Sequence, residues 1–262
     1  MDARISLNAG TFALSTGTSQ DQLISIENVE TSGGDDAVNG SSRANVISVG
    51  DGANLVYAGG GDDTVIGGQF LTYDEQMREV LNSGAGNDLI LGKGGVALDW
   101  DEEAQAYEYI SAGDVLAGGA GDDTIEAGPG SDQRLSGGAG SDTFTFTDAT
   151  FLYGYAPDLN GDDEATPAQV TITDFDPDED HIRIRFDKEP GELTFVGETP
   201  TSPDSLDRGE MGYRVVASPV SDEQIGVISI AVQDQVSTSP NYLEIWLQGY
   251  TGPFSDLDVG LA

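Results

Sequence analysis

Aspartate and glycine recur together through the first half of the chain. In "AGGGDDTVIGG", residues 58–68, Asp63 follows a glycine-rich stretch and stands two positions before the apolar Val65. Aspartate carboxylates and the carbonyls of tightly curled glycines are oxygen ligands that Ca²⁺ prefers, whereas Mg²⁺ keeps its waters and demands a strict octahedron. A single copy of this stretch is an ordinary turn, so the number of copies and their spacing decide whether the chemistry is metal binding.

The aspartate and the apolar residue keep the same register when the sequence is read backwards from Asp63 in steps of nine. The apolar residues are Val56, Ile47, Val38 and Val29, and the acidic or amide residues are Asn54, Asn45, Asp36 and Glu27. The pattern returns at Asp88, Asp114, Asp123 and Asp132, and after a step of ten at Asp142. The glycine-aspartate nonapeptide G-G-x-G-x-D-x-U-x, where U is bulky and apolar, is typical of a calcium-binding parallel β-helix.

Each nonapeptide predicts a six-residue turn and a three-residue strand whose apolar residue points inward. The turn glycines supply backbone angles that other residues rarely adopt. Two nonapeptides make one coil of about 18 residues, so the fold class is all-β, a parallel β-roll. Stacking places Asn45 under Asp63 and Asp36 under Asn54. We further expect one side to carry Asp63, Asp114 and Asp132, and the other Asp88, Asp123 and Asp142.

The step of ten predicts a local bulge near Arg134 and Leu135, with Arg134 in the usual apolar position. The candidate metal ligands are the acidic and amide residues of the turns together with turn glycines: Asp36, Asn45, Asn54, Gly61, Asp63, Gly86, Asp88, Asp114, Gly119, Gly121, Asp123, Gly128, Gly130, Asp132, Gly138, Gly140 and Asp142. An acidic loop further on adds Asp158, Asn160 and Asp162 at alternate positions. This loop either binds an additional cation or is an ordinary acidic loop, and it is not an EF-hand because Gln169 stands at the twelfth place.

Two insertions interrupt the repeat, at about 69–83 and 95–111. The first has Thr72 and Glu75 at capping-box spacing, with Met77, Val80 and Leu81 on one face, which predicts a short helix. The second, "VALDWDEEAQAYEYI", predicts a hairpin of two apolar-aromatic strands around "DEEA". Both are interpreted as loops of one continuing structure, a β-roll over 1–189.

The charge balance is strongly acidic, with 10 Lys and Arg against 47 Asp and Glu and a net charge of −37. Such a surface excludes a nucleic-acid backbone and an anionic membrane as partners, and no apolar run approaches the ~18 residues of a membrane span. The chain has no cysteine, which excludes disulfides and thiolate sites. Because stacked carboxylates repel at close range, we expect several Ca²⁺ ions to bind and folding to be coupled to that binding.

Catalysis finds little support. The chain has one histidine, His181, which excludes an H-E-x-x-H zinc site and which we expect to have a structural or surface role. The carboxylates are too numerous for any pair to be singled out as acid and base. We therefore predict no catalytic residues and no enzyme activity in this chain.

The composition changes after about Pro190. "GELTFVGE", "GYRVVASP", "GVISIAVQ" and "NYLEIWLQGY" predict four strands. They indicate an antiparallel cap or small sandwich over 190–262 that closes the open end of the roll, where an exposed coil would be an aggregation edge. Trp246 and Tyr250 belong either to a ligand surface or, as we favour, to the core.

In combination, these motifs resemble the repeats-in-toxin (RTX) calcium-binding proteins of Gram-negative bacteria. The likeness extends from Ala3 to Ile184; "SIENVETSGGDDAVNGSSRANVIS" is similar to the start of such arrays, and "GGAGSDTFTF" with "ITDFDPDEDHIRI" to their end. The resemblance implies a β-roll that is disordered at cytosolic calcium and folds outside the cell. It also implies type I secretion through an uncleaved C-terminal signal, which "PFSDLDVGLA" fits loosely. The N-terminus shows no classical signal peptide, and we expect a piece of a longer chain.

Three functions remain open. The first is a calcium-folded module that supports the secretion and stability of a larger extracellular protein. The second is an adhesin or ligand-binding module for a glycan or ice, whose surface would be the insertions with Tyr73, Trp100, Tyr107 and Tyr109. The third is the non-catalytic tail of a secreted hydrolase.

Overall fold

A computed structural model describes most of the chain. The described residues are 2–14, 20–22, 26–68, 78–94, 96–101, 106–111, 113–130, 132–147, 150, 168–185, 194–197, 206, 210–217, 223–233 and 240–261. The predicted acidic loop with Asp158, Asn160 and Asp162 lies outside them, as do Tyr73 and the capping-box residues Thr72 and Glu75. No helix within these ranges is long and apolar enough to span a membrane.

The first of two large sheets, sheet A, holds one strand from each coil of the roll. Its roll strands pair in parallel in the order β1 (Ala3–Ser6), β5 (Ala37–Ser41), β7 (Leu55–Gly60), β9 (Val80–Ala85), β13 (Val115–Ala120), β15 (Gln133–Ala139) and β17 (Ala168–Ile172). At the N-terminal end β2 (Thr11–Leu14) and β3 (Gln20–Gln22) extend this sheet in antiparallel fashion.

Sheet B holds the other strand of each coil. Its strands also pair in parallel, in the order β4 (Asn28–Glu30), β6 (Val46–Ser48), β8 (Thr64–Ile66), β10 (Leu89–Leu91), β14 (Thr124–Ala127), β16 (Thr143–Thr147), β18 (His181–Arg185) and β23 (Asp258–Leu261). The chain therefore alternates between the two sheets and winds a parallel β-roll, as the repeat predicts.

The pairing register confirms the 18-residue coil. Val38 pairs with Val56 in sheet A, and Ile47 pairs with Val65 in sheet B. The inward positions form one continuous apolar core whose members are completely buried in most coils, among them Val38, Ile47, Val56, Val65, Leu81, Ile90, Leu116, Ile125, Leu135, Phe144 and Ile182. The roll strands of sheet A have four to seven residues, more than the three that the repeat predicts. Each strand still buries only a few apolar side chains, so the core exists only when several coils stack.

The first insertion is shorter than the sequence indicates. Val80 and Leu81 belong to strand β9, where Leu81 pairs with Val56 and is fully buried. The prediction of a helix that includes these two residues, and of an insertion reaching residue 83, is therefore wrong, because Leu81 fills the inward position of the next coil. The remainder of that predicted helix, 69–77, lies outside the described residues.

The second insertion forms the predicted hairpin. Strands β11 (Val96–Asp101) and β12 (Ala106–Ser111) pair antiparallel around "DEEA". The register sets Trp100 opposite Tyr107 and Leu98 opposite Tyr109. This pairing confirms the hairpin and leaves its use in ligand binding as a prediction.

The C-terminal segment caps the roll by extending both sheets. Strands β19 (Thr194–Phe195), β20 (Glu210–Ala217), β21 (Gln224–Gln233) and β22 (Pro240–Gln248) correspond to the four predicted strands. An antiparallel meander runs through β20, β21 and β22, and β22 then joins the last roll strand of sheet A, β17, in parallel. A 3-10 helix, Phe254–Asp256, leads into β23. The cap is thus continuous with the roll and is not a separate sandwich.

Aromatic packing joins the cap to the last coils. Tyr250 is buried, and its ring lies 6.4 Å from the rings of both Phe175 and Tyr213. This confirms the core role of Tyr250. Trp246 is half-buried and donates from Nε1 to Glu244 Oε2 at 3.1 Å.

Neighbouring turns approach so closely that only glycine fits at certain positions. Gly59 has a φ of +114°, and a Cβ there would lie 2.1 Å from the Ser41 carbonyl oxygen of the preceding coil. At the adjacent Gly60 the nearest atom would be 3.6 Å away. We expect Gly59→Ala to lower the unfolding free energy by about 1–3 kcal/mol in guanidinium titrations in calcium. Gly60→Ala is the matched control, and an equal effect of the two substitutions would contradict this account of the turn.

Candidate metal centre

The polar residues of the turns form two buried rows, one beside each sheet. Row B consists of the residues immediately before the strands of sheet B: Asn45, Asp63, Asp88, Asp123, Asp142 and Asp180. Row A consists of the residues immediately before the strands of sheet A or, for Gln133, the first residue of the strand: Asp36, Asn54, Glu79, Asp114 and Gln133. Every member of both rows is at most 3% exposed to solvent.

The arrangement of the rows corrects one expectation from the sequence. Asp63, Asp88, Asp123 and Asp142 all lie in row B, so Asp63 does not share a side with Asp114. The 25 residues from Asp63 to Asp88 make a full 18-residue coil plus seven inserted residues, because Glu79 occupies the intervening place in row A. The expected stacking of Asn45 with Asp63 and of Asp36 with Asn54 is confirmed.

Asp132 is the second correction. It is exposed and has a φ of +61°, whereas the neighbouring Gln133 is buried in row A. Leu135 pairs with Leu116 in the core, and Arg134 is an exposed residue opposite Val115. The extra residue therefore lies in the turn before Gln133, where the left-handed conformation of Asp132 accommodates it, and not near Arg134 and Leu135.

One carboxylate oxygen of each row B aspartate accepts a hydrogen bond from a backbone N–H of the preceding coil. The Asn45 N–H donates to Asp63 Oδ1 at 2.6 Å, and the Asp63 N–H donates to Asp88 Oδ1 at 2.7 Å. The same bond recurs at Asp123, Asp142 and Asp180, at 2.8, 2.9 and 3.0 Å. These bonds fix the carboxylates, so the direction of the second oxygen is also fixed.

The second carboxylate oxygen is buried without a hydrogen-bond donor among the described residues. This holds for the Oδ2 atoms of Asp36, Asp63, Asp88, Asp114, Asp123 and Asp142. Asp123 Oδ2 points into its own turn, since a Cβ added to Gly118 would lie 2.2 Å from it. Asp142 Oδ2 points into its turn in the same way, 2.2 Å from a Cβ added to Gly137. A buried acceptor without a partner is costly, and a hard cation with oxygen ligands is the partner that fits it.

Such an ion must draw on the backbone as well as on side chains. No group of three or more His, Cys, Asp or Glu that could hold a metal occurs in the described ranges. Each position offers instead one fixed carboxylate beside a glycine turn, and among the predicted glycine ligands Gly61, Gly86, Gly119, Gly121, Gly130, Gly138 and Gly140 have positive φ. Turn carbonyls are therefore the remaining ligands to expect, and Ca²⁺ accepts carbonyl oxygens readily.

Burial raises the pKa of several carboxylates in rows A and B, which stand at the corners of the coils. Desolvation is the main cause in each case: it raises the pKa of Asp123 and Asp114 to about 7 and that of Asp63 and Asp142 to about 6. It also raises the pKa of Glu79 to about 8, with the Asp114 charge as the next cause. Near neutral pH the charged corners therefore oppose folding unless a cation neutralises them.

The raised pKa values predict an unusual response of the metal-free chain to pH. An exposed aspartate has a pKa of about 3.9, so between pH ~4 and ~7 the folded form binds more protons than the unfolded form. The unfolding free energy should therefore rise as the pH falls from 7 to 5. We expect chelator-treated protein to gain β structure over this range, as measured by far-UV circular dichroism. A loss of β structure on the same acidification would be incompatible with buried charged corners.

Three members of the rows were missed in the sequence. Glu79 and Asp180 each stand two residues before a buried apolar residue, Leu81 and Ile182, and that spacing was the available signal. Gln133 gives no comparable signal, because Asp132 beside it fits the pattern by type. Asp180 ends row B: its Oδ1 accepts from the Asp142 N–H and its Oδ2 accepts from the Asp176 N–H at 2.8 Å.

His181 begins strand β18, as expected for a residue at a strand start. Its Nδ1 lies 2.7 Å from Asp258 Oδ2. The Arg183 guanidinium also binds Asp258, with two bonds of 3.1 and 2.9 Å. These contacts hold the final strand β23 to the roll, so His181 has a structural role.

Comparison with known proteins agrees with the turn chemistry. A sequence model described as RTX calcium-binding nonapeptide repeat (4 copies) matches residues 39–70, 78–96 and 111–144. No curated protein matches the chain. Among solved structures, the solution structure of the AlgE6R3 subunit from the Azotobacter vinelandii mannuronan C5-epimerase is 18% identical, covering 88% of this chain and 78% of that chain with a TM-score of 0.28.

The matched segments contain most of both rows and the glycine turns between them. Repeats of this family bind several Ca²⁺ ions in each roll. The winding of the strands, the fixed carboxylates with partnerless oxygens and the family match agree with one another. This chain carries a region of RTX calcium-binding nonapeptide repeats folded as a parallel β-roll.

Proposed function

We propose that this chain is a calcium-dependent folding module that becomes ordered outside the cell and supports the type I secretion and stability of a larger extracellular protein. The observation that carries the proposal is the series of fixed, buried carboxylates whose Oδ2 atoms have no donor among the described residues. The module has no catalytic role in this proposal, and it uses carboxylates and turn carbonyls for binding alone.

Bound calcium supplies positive charge and accepts the lone pairs of the corner oxygens. The residues of the chain do the positioning. Oδ1 of Asp88 is held by the Asp63 N–H, and Oδ1 of Asp123 by the Asp88 N–H, so each carboxylate is oriented only when the preceding coil is in place. Ion binding and coil stacking therefore require each other, which is the physical basis for coupled binding and folding.

The net charge of −37 supports the secretion part of the proposal. Self-repulsion on this scale opposes compaction, so at low calcium the chain stays extended, as passage through a narrow export channel requires. At higher calcium outside the cell the corners are neutralised and the roll forms. Extracellular location and type I export are also what the RTX resemblance implies.

Export is tested by expressing the chain in a Gram-negative host with an active or an inactivated type I secretion apparatus. The proposal expects the chain in the medium only with the active apparatus, and protease-resistant only when the medium contains calcium. Equal amounts in the medium in both hosts would overturn the secretion role. Protease resistance that is the same with calcium and with chelator would overturn the folding role.

A further inference from the structure

Asn54, in row A, places its amide nitrogen where it contacts three oxygens. Nδ2 donates to the Gly50 carbonyl at 2.6 Å and to Glu79 Oε1 of the following coil at 2.7 Å, with the Gly52 carbonyl at 3.3 Å. The orientation of the amide is fixed, because Oδ1 accepts from the Asp36 N–H at 3.0 Å. The nitrogen thus joins two carbonyls of its own turn to a carboxylate of the next coil.

Gln133, in the same row, makes the equivalent contacts to its turn carbonyls three coils further along. Its Nε2 donates to the Gly128 carbonyl at 2.5 Å and has the Gly130 carbonyl at 3.3 Å, whereas its Oε1 is buried without a donor among the described residues. Gly50 and Gly52 are the fifth and seventh residues after Asn45, and Gly128 and Gly130 are the fifth and seventh after Asp123. Two side chains of different length therefore place an amide nitrogen on the same pair of turn carbonyls.

An amide NH₂ has donors only, and it satisfies carbonyl and carboxylate oxygens as a cation would. We propose that the amides of Asn54 and Gln133 replace calcium at their corners, so that these two turns close without an ion. The inference rests on the proposed calcium-binding function and refines it, since it assigns which corners take no calcium.

The rest of the rows supports this division. In row B four successive aspartates, Asp63, Asp88, Asp123 and Asp142, each keep an Oδ2 without a donor among the described residues. In row A the Glu79 carboxylate is fully bonded, since Asn54 Nδ2 donates to Oε1 and the Gly68 N–H lies 3.1 Å from both oxygens. Row A also keeps two such oxygens, at Asp36 and Asp114, so calcium is expected at these two positions as well as along row B, and the amides of Asn54 and Gln133 close two other turns of row A.

Asparagine by itself does not produce this contact. Asn45, in row B, turns its Oδ1 toward the Ser41 N–H at 2.7 Å, while its Nδ2 contacts the Glu27 and Ala44 carbonyls at 3.3 Å. Its nitrogen does not reach the carbonyl of Ser41 or Arg43, which are the fifth and seventh residues after Asp36. The replacement is thus a property of the Asn54 and Gln133 turns and not of the residue type.

The test counts bound ions by native mass spectrometry after dialysis into saturating calcium. Asn54→Asp and Gln133→Glu exchange the amide nitrogen for oxygen with little change in shape, and each variant should bind one ion more than the unmodified chain. Asn39→Asp and Gln224→Glu add the same charge at exposed strand positions and should leave the count unchanged.

The outcomes separate this inference from the function on which it rests. If the unmodified chain binds no calcium, the proposed function itself fails. If it binds calcium but neither Asn54→Asp nor Gln133→Glu gains an ion, the replacement of calcium by amides is wrong. The replacement is equally wrong if both variants stay unfolded in calcium that folds the two control variants.

Discussion

Replacing Asp88 and Asp123 together by asparagine should remove about 5 kcal/mol of the stabilisation that calcium gives the roll. Each site contributes about 2.7 kcal/mol when calcium is a hundredfold above its dissociation constant. Asparagine keeps the Oδ1 atoms that accept from the Asp63 and Asp88 N–H groups. The substitution therefore removes the charge and leaves these hydrogen bonds between successive coils in place. Guanidinium unfolding at a series of calcium concentrations measures the effect as a shallower dependence of the unfolding free energy on calcium.

The matched control is the pair Asp62→Asn and Asp122→Asn. These exposed aspartates stand one residue before Asp63 and Asp123 and accept from the Asn87 and Ser141 N–H groups at 3.0 and 2.9 Å. The control removes the same charge from the same turns without touching the buried rows. If both double variants weaken the calcium dependence equally, the effect is general charge reduction and the buried corners are not the binding sites.

Arg214→Met should destabilise the C-terminal cap by about 3–5 kcal/mol, because it leaves a buried carboxylate without its cationic partner. Arg214 on β20 pairs with Glu244 on β22, and their side chains are only 14% and 7% exposed. Ser229 Oγ lies 3.4 Å from the same Glu244 oxygen, on the strand between them. The cap extends the last strand of sheet A, so a loss of cap structure should also be measured as faster hydrogen exchange in β17.

The double variant Arg214→Met with Glu244→Leu distinguishes the loss of a partner from the loss of packing. Replacing both charges by apolar groups of similar size is often neutral, so the double variant should recover most of the lost unfolding free energy. Arg43→Met, which removes the exposed ion pair with Glu27, should change it by less than about 1 kcal/mol. A double variant as unstable as Arg214→Met alone would show that the buried charge is not the cause.

The sequence predicts the roll well because its repeat and its core depend on the same residues. Val38, Ile47, Val56 and Val65 recur every nine positions, and each is fully buried on alternate sheets. The hairpin over 96–111 was predictable for a similar reason, since its strands are apolar-aromatic and the turn between them is acidic.

The sequence fails where a different residue type takes a corner. At Gln133 the neighbouring Asp132 fits the pattern in its place, and Glu79 hides a whole nonapeptide from a search for aspartate. The hidden nonapeptide makes the sequence-based count of coils too small, and Asp63 and Asp114 are therefore expected on the same side of the roll although they lie in different rows. The parallel junction of β22 with β17 is also beyond sequence reasoning, because nothing in two apolar strands far apart in the chain specifies which edge they share.

The central claim is that the corners prevent the roll from closing until calcium neutralises them. Its most direct test is far-UV circular dichroism of metal-stripped protein at pH 7.5 during a calcium titration, with magnesium at equal concentrations as the control. The account predicts little β structure in chelator, a cooperative gain in calcium and no comparable gain in magnesium. Equal β content in chelator and in calcium would contradict it.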